Sequence, residues 1–483
     1  MTLPLDLHRP ARAALLLALV AVAARFAMWG NPATGFDEQY YLLVGDRLAH
    51  GALVYVDIWD RKPIGLFLIF AAIRQLGGDG VLQYHLVAAL VAWATALVVH
   101  RIAARGTGPA GALAAAAAYL LWLDFTEGEG GQAAVFYNLP MILAAALVLR
   151  QVAARAARRP VAAAFAAMLL CGAALQIKYS VLFEGVFFGL ALLWAAWRRG
   201  MRPATLAAYA VALAATALVP TLIALAAYAR IGALDAFVFA NFVSIFGKGG
   251  GALADKAMGW LLALAILSPL WIAALLAPRG ANADPARRFA WGWLAAALVG
   301  LYPFLNGPNP NALPPILLPL ALLAAPGLDR RPGRTLALLL TIFAVSQLVL
   351  LLTIRVKGTR AQAYAFAAAA TPRHGCLYVY DGYPVLYHLT HSCLPTRYAF
   401  PGMLNVRWED NAEALGVDPA AEVRRILATR PEKIVDVLPA FEGGNPRTRA
   451  LVEAALARDY RATFVIRTGD TRRIVYTRRD VAR

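Results

Sequence analysis

The sequence predicts a polytopic α-helical membrane protein that ends in a small α/β domain. Three observations point there. Of 483 residues, 60% are hydrophobic and only 15% charged, whereas soluble domains carry about 25% charge. Apolar runs of bilayer-spanning length recur from residue 11 to residue 353, the shortest of them marginal for a crossing of about 20 residues. Beyond Leu352 charge returns to ordinary density and no spanning run follows.

Hydropathy places spanning helices near 13–29, 81–100, 109–123, 136–154, 161–176, 181–197, 203–229, 257–277, 289–305, 312–326 and 333–353. The first run follows Arg9 and Arg12, as a cleaved signal peptide would. An acidic motif follows it closely, so an uncleaved first helix is expected. The net charge of +18 would suggest nucleic acid in a soluble chain. Here the arginines cluster in short loops between apolar runs, which makes the charge a topology signal.

The apolar stretch 63–76 decides that topology. If it spans, every later loop changes side. If it lies in the interface, the basic loops all share one face: Arg9 and Arg12, Arg101 and Arg105, Arg150 with Arg155, Arg158 and Arg159, Arg198 with Arg199 and Arg202, Arg279 with Arg287 and Arg288, Arg330 with Arg331 and Arg334. Only Asp6, Asp284 and Asp329 stand among them. The bias therefore predicts a juxtamembrane helix at 63–76, a cytoplasmic N-terminus and an extracytoplasmic first loop.

In the C-terminal segment, short apolar runs predict strands at 376–380, 433–438, 462–467 and 473–477, with helices over 411–428 and 446–458. Thr468-Gly469-Asp470-Thr471 is a hairpin turn signal. The division expected is a transmembrane domain over 1–353, with its catalytic loop near 30–80, and an extracytoplasmic α/β domain over 354–483. Cys376 and Cys393 both fall in the outer part, where a disulfide is expected. Cys171, inside a helix, is a small apolar residue.

The chemistry concentrates in the first loop. Adjacent carboxylates Asp37 and Glu38 stand at the mouth of a membrane helix; Tyr40, Asp57, Asp60, Arg61 and Lys62 follow before Pro63. Carboxylates at a membrane surface are costly unless they are used. Other loops of that face supply Asp124, Glu127 and Glu129 in a glycine-rich stretch, Lys178 and Tyr179 in a short turn, Lys248 among glycines, and Asn306, Asn309 and Asn311 near prolines. Carboxylates with scattered cations beside a bilayer suit a phosphorylated lipid: cations hold the phosphate while a carboxylate takes a proton from a hydroxyl.

Phe36-Asp37-Glu38 with Tyr40, Tyr41, Gly51, Tyr55 and Asp57, then Asp60-Arg61-Lys62-Pro63, resembles the PMT-like, family 39 branch of the GT-C glycosyltransferases. Protein O-mannosyltransferases and the aminoarabinose transferase of lipid A belong to that branch. The resemblance extends to Gln176-Ile177-Lys178-Tyr179 and to the proline-rich 313–320 segment. It implies inverting transfer of a sugar from a polyprenyl-phosphate donor to a hydroxyl on a glycolipid, lipid-linked glycan or protein, in the bacterial inner membrane. Asp37 would be the base, assisted by Glu38. Lys62, Lys178 and Arg61 would contact the carrier phosphate, with Tyr40 and Asp60 beside them. Two departures stand out. No residue of the acidic 124–132 loop matches a family carboxylate, and Asn306 to Asn311 occupies the place of a His-Tyr pair common in relatives. A divalent metal is left open as a cofactor, and no nucleotide is expected.

Plainer readings compete. Asp37 and Glu38 could be a solvated helix cap; Asp57, Asp60 and Arg61 a salt-bridge knot; Glu127 and Glu129 a solvated turn; Lys178 a snorkelling side chain. Glu184 would line a cavity or pair with Lys178. The histidines show no metal-ligand spacing. A flippase of lipid-linked sugars is the rival function, but the acids concentrate in loops and no internal repeat is visible. A membrane scaffold is the third reading.

Overall fold

The structure is a computed structural model that describes residues 10–153, 161–249, 253–278, 284–303, 307 and 309–481. Asp6, Arg9, Arg155, Arg158, Arg159, Arg279 and Asn306 lie outside the described residues. Among the described residues, every predicted crossing falls on a helix. Among the described residues, eight helices are long and apolar enough to cross a membrane. Val161–Leu175, Pro285–Leu301 and Pro314–Asp329 are shorter, at 15, 17 and 16 residues. At about 1.5 Å per residue each falls short of a 30 Å hydrocarbon core. The 63–76 stretch forms Ile64–Arg74, whose 11 residues are too few to span.

Two compact units divide the chain: Met1–Ala27, Leu86–Ala224 and Gly251–Leu350 form one, and Met28–His85, Leu225–Gly250 and Leu351–Arg483 the other. The first is a helical bundle packed through small residues. A Cβ at Gly327 or Gly172 would overlap the carbonyl oxygen of Ala273 or Ala217, so glycine permits close helix approach there. The acids among the basic loops have local work. Asp284 caps Pro285–Leu301 by accepting from the Ala286 amide at 3.0 Å. Asp329 accepts from the Gly108 and Gly111 amides at 3.0 and 2.7 Å, where Pro109–Trp122 begins. Arg287 is no loop arginine; it is buried and donates to the Leu323 and Ala274 carbonyls.

In the second unit, strands β1 (Leu377–Val379), β2 (Lys433–Leu438), β3 (Tyr460–Thr468) and β4 (Thr471–Arg478) form one sheet in the order β1-β2-β4-β3. β1 and β2 are parallel, joined by a helical crossover; the other pairs are antiparallel. The expected hairpin closes at Gly469, whose φ of 56° suits glycine. Helix Arg360–Ala370, held by a Thr359–Gln362 capping box, brings Phe366 to Phe464 of β3. Cys376 and Cys393 form a disulfide with Cα atoms 5.2 Å apart. The expected 411–428 helix breaks at Gly416, in the left-handed region at φ 73°, into Ala412–Leu415 and Pro419–Ala428.

Within this unit the first loop is tied to chain more than 300 residues away. Asn31 donates to the Gly358 carbonyl at 3.0 Å, the Trp59 amide to the Arg397 carbonyl at 2.9 Å, and Arg47 to the Ser392 carbonyl at 2.5 Å. Phe400 packs on Phe36 and Tyr40.

Candidate functional site

Side-chain hydrogen bonds set the backbone before the acidic pair. Asn31 Oδ1 accepts from the Ala33 amide, and the Thr34 hydroxyl donates to the Asn31 carbonyl. Gly35 then takes φ 68° and opens helix Phe36–Ala49. Asp37 and Glu38 occupy its first turn, where the helix dipole favours negative charge. Glu38 is buried and folds over Gly35, so that a Cβ there would lie 2.9 Å from Glu38 Oε2. Gly35→Ala therefore meets both a left-handed backbone and the Glu38 carboxylate. We expect it to lower unfolding free energy by roughly 1–2 kcal/mol and to slow turnover. Thermal unfolding beside the assay described below checks this, and an unaltered melting curve would sink it.

The next turn presents two tyrosines. The buried Tyr40 hydroxyl donates to the Trp59 carbonyl at 2.6 Å, clamping the helix to the end of the loop. Tyr41, also buried, donates to Asp37 Oδ2 at 3.1 Å. Burial first, then the carboxylates of Asp37, Glu38 and Asp60, push the Tyr41 phenol well above its ordinary range. It thus remains a donor toward Asp37.

A tight turn delivers the cation. Tyr55 takes φ 73°, donates its amide N–H to the Ile58 carbonyl at 2.7 Å, and donates its hydroxyl to the Lys62 carbonyl at 2.8 Å. Asp57 is a turn residue, accepting from the Leu53 amide at 2.7 Å. Asp60 Oδ1 accepts from the Arg61 and Lys62 amides at 2.6 and 3.1 Å, and its Oδ2 lies 3.7 Å from Lys62 Nζ. The ammonium stands 4.9 Å from the Tyr41 ring centroid. Burial works against its charge, but the carboxylates of Asp37 and Asp60, with Glu38 behind them, hold Lys62 above its ordinary value. Asp37, Glu38, Tyr41, Asp60 and Lys62 thus form one electrostatic cluster.

Arg61, although adjacent, turns elsewhere. Its guanidinium makes a bidentate pair with Glu409 at 2.8 and 2.7 Å, and also donates to Ser244 Oγ and the Ala414 carbonyl. Lys248 approaches Glu409 at 3.3 Å. Sequence reasoning missed Glu409 and Ser244, because a pair 348 positions apart leaves no local period. Breaking a desolvated pair strands the remaining charge. Glu409→Ala is expected to destabilise the fold by about 3 kcal/mol, read by denaturant unfolding; a shift under about 0.5 kcal/mol, the size of an ordinary surface substitution, would show the bridge to be idle.

The remaining candidates lie in the helical unit. Asp124 lies in the short turn Leu123–Thr126 that closes Pro109–Thr126, and it is buried, within electrostatic reach of the buried Arg25. Glu127 is exposed at φ 55° and accepts from Asn311 Nδ2 at 3.3 Å. Glu129, two residues on, is 8% exposed, with Oε2 unpartnered. Burial, reinforced by Glu127 and Asp124, pushes its carboxyl up to about 8. Lys178 stands in the turn between Val161–Leu175 and Leu182–Arg198, half-buried. Glu184 accepts from the Trp293 indole in the bundle. Among the described residues, no three His, Cys, Asp or Glu side chains converge to hold a metal ion.

No protein-family model and no curated protein matches the chain. Solved structures do. ArnT from Cupriavidus metallidurans in the apo state aligns with TM-score 0.60 at 18% identity, over 96% of this chain and 97% of that one. ArnT bound to undecaprenyl phosphate aligns with TM-score 0.60 at 16% identity, with the same coverage. The oligosaccharyltransferase of Archaeoglobus fulgidus, tethered to an acceptor peptide, aligns with TM-score 0.54 at 11% identity, over 94% of this chain and 72% of that one. This multi-pass membrane protein therefore has the fold of two GT-C glycosyltransferases.

Proposed function

We propose that this protein is an integral-membrane glycosyltransferase that moves a sugar from a polyprenyl-phosphate donor to a hydroxyl acceptor. The observation that carries the reading is the Asp37–Tyr41–Lys62 cluster: a carboxylate held by a phenol hydroxyl, beside a cation kept charged by carboxylates. A fold shared with ArnT, whose structure with undecaprenyl phosphate is known, supports a lipid carrier.

In the proposed reaction Asp37 takes the proton of the acceptor hydroxyl. The oxygen attacks the anomeric carbon from the face opposite the phosphate, and the C–O bond to the phosphate breaks with its electron pair going to the carrier. Attack from that face inverts the anomeric centre. Lys62 neutralises charge as it develops on the phosphate. Glu38 assists through its place beside Asp37. Tyr40 and Asp60 hold the loop that presents Lys62. Arg61, committed to Glu409, acts by positioning that loop. Asp124, Glu127 and Glu129 are proposed as further acidic contributors. The transferred group is a hexosyl or pentosyl unit, and the acceptor a glycolipid, lipid-linked glycan or protein.

The proposed location is the bacterial inner membrane, with the N-terminus cytoplasmic and residues 354–483 in the periplasm. The arginine-rich loops support that orientation, and the Cys376–Cys393 disulfide supports an oxidising compartment for the C-terminal segment. Purified protein in nanodiscs, given radiolabelled polyprenyl-phosphate sugars and a membrane lipid extract, tests the proposal. Label transfer to a new product supports it. Movement of labelled lipid between leaflets without transfer would establish the flippase reading instead.

A further inference from the structure

The helical unit holds a cavity of about 760 Å³ that the sugar-transfer reading does not use. It lies where Ala133–Val152 and Leu182–Arg198 end and Pro285–Leu301 begins. That is the opposite end of these helices from the 127–132 loop and the Lys178 turn. Arg198, Arg199 and Arg288 line it together with Trp194, Phe187 and Phe289. Arg198 stands 5.1 Å from the Trp194 ring centroid, and Arg199 donates to the Gln151 carbonyl at 3.2 Å. Phe187 and Phe289 meet at 5.2 Å between centroids. No carboxylate lines the cavity among the described residues.

We propose that this cavity binds an anionic phospholipid, its phosphate between the arginines and an acyl chain against the aromatic floor. The volume lies within the range of about 300–1,000 Å³ typical of small-molecule sites. Guanidinium groups bond phosphate oxygens in pairs, and basic pockets between membrane helices suit anionic headgroups. A zwitterionic lipid brings a cation that the arginines repel. Free phosphate leaves the aromatic wall uncovered. The site is independent of the chemistry proposed for Asp37.

The test is lipid retention by the full chain in phosphatidylcholine nanodiscs doped with phosphatidylglycerol, read by native mass spectrometry and thermal shift. Wild type is expected to retain phosphatidylglycerol selectively and to melt higher with it. In Arg198→Gln/Arg288→Gln the apparent affinity should fall about 25-fold, near fivefold per arginine, while Arg198→Lys/Arg288→Lys keeps most of it. Equal retention by the glutamine variant overturns the site. So does equal retention of phosphatidylcholine by wild type, which decides the matter even where the double variant fails to accumulate. An inorganic phosphate titration giving the same thermal shift as phosphatidylglycerol would overturn the lipid and leave an anion site.

Discussion

Asp37→Asn is expected to lower sugar transfer about 100- to 10,000-fold, the range for removal of a general base, while the protein remains folded. The substitution is nearly isosteric. The amide oxygen still accepts from the Tyr41 hydroxyl, which lies 3.1 Å from Oδ2, so the first turn of Phe36–Ala49 keeps its local bond. What disappears is the capacity to take a proton. Glu38→Gln should lose far less, because Glu38 is buried over Gly35 and acts on Asp37 rather than on the acceptor. The measurement is initial transfer rate at saturating donor for wild type and both variants, with size-exclusion profiles as the folding control. Transfer by Asp37→Asn within tenfold of wild type would remove Asp37 from the role of base. Greater loss from Glu38→Gln would exchange the two roles.

The parts of this architecture legible in the sequence are those built from neighbouring residues. Spanning helices announce themselves because lipid demands long apolar runs, and the β3–β4 hairpin because Gly469 supplies a positive φ between apolar strands. Asp37, Tyr41, Asp60 and Lys62 belong to one loop, so their shared neighbourhood follows from short separation. What escaped depends on distant chain. Glu409, which holds Arg61, lies in Arg407-Trp408-Glu409-Asp410, a stretch that looks like a solvated turn. Glu129 is flanked by glycines that suggest an exposed loop, yet it is buried. From sequence Glu184 fits either a cavity or a pair with Lys178; its carboxylate is engaged by Trp293, 109 positions away, which no periodicity indicates. A helix read as continuous over 411–428 breaks because Gly416 adopts φ 73°, a conformation that sequence permits without requiring.

Lys62→Met should be nearly as damaging as loss of the base, but by another route. The ammonium answers Asp37, Asp60 and Glu38 in the free protein, and in the proposed reaction it also faces the carrier phosphate. Removing a charged donor from a developing anion costs about 100- to 1,000-fold, so kcat/KM for the donor should fall by that factor. Binding of the polyprenyl phosphate itself should weaken in parallel, which a defect confined to Asp37 would not produce. Lys62→Arg should restore binding in part, because its charge persists while the planar fork cannot reproduce a point contact above the Tyr41 ring. The pH dependence has a definite sign. Folding raises the Lys62 value above its ordinary 10.5. Its contribution to stability is therefore complete below about that pH and disappears only as pH climbs through the raised value. Between pH 7 and 10 Lys62 should add no limb to carrier binding. Carrier affinity measured across that window, beside the methionine variant, decides the point. A wild-type affinity that declines already from pH 8, with the methionine variant unaffected by pH, would mean that Lys62 loses its proton early and that the carboxylates around it do not govern its charge.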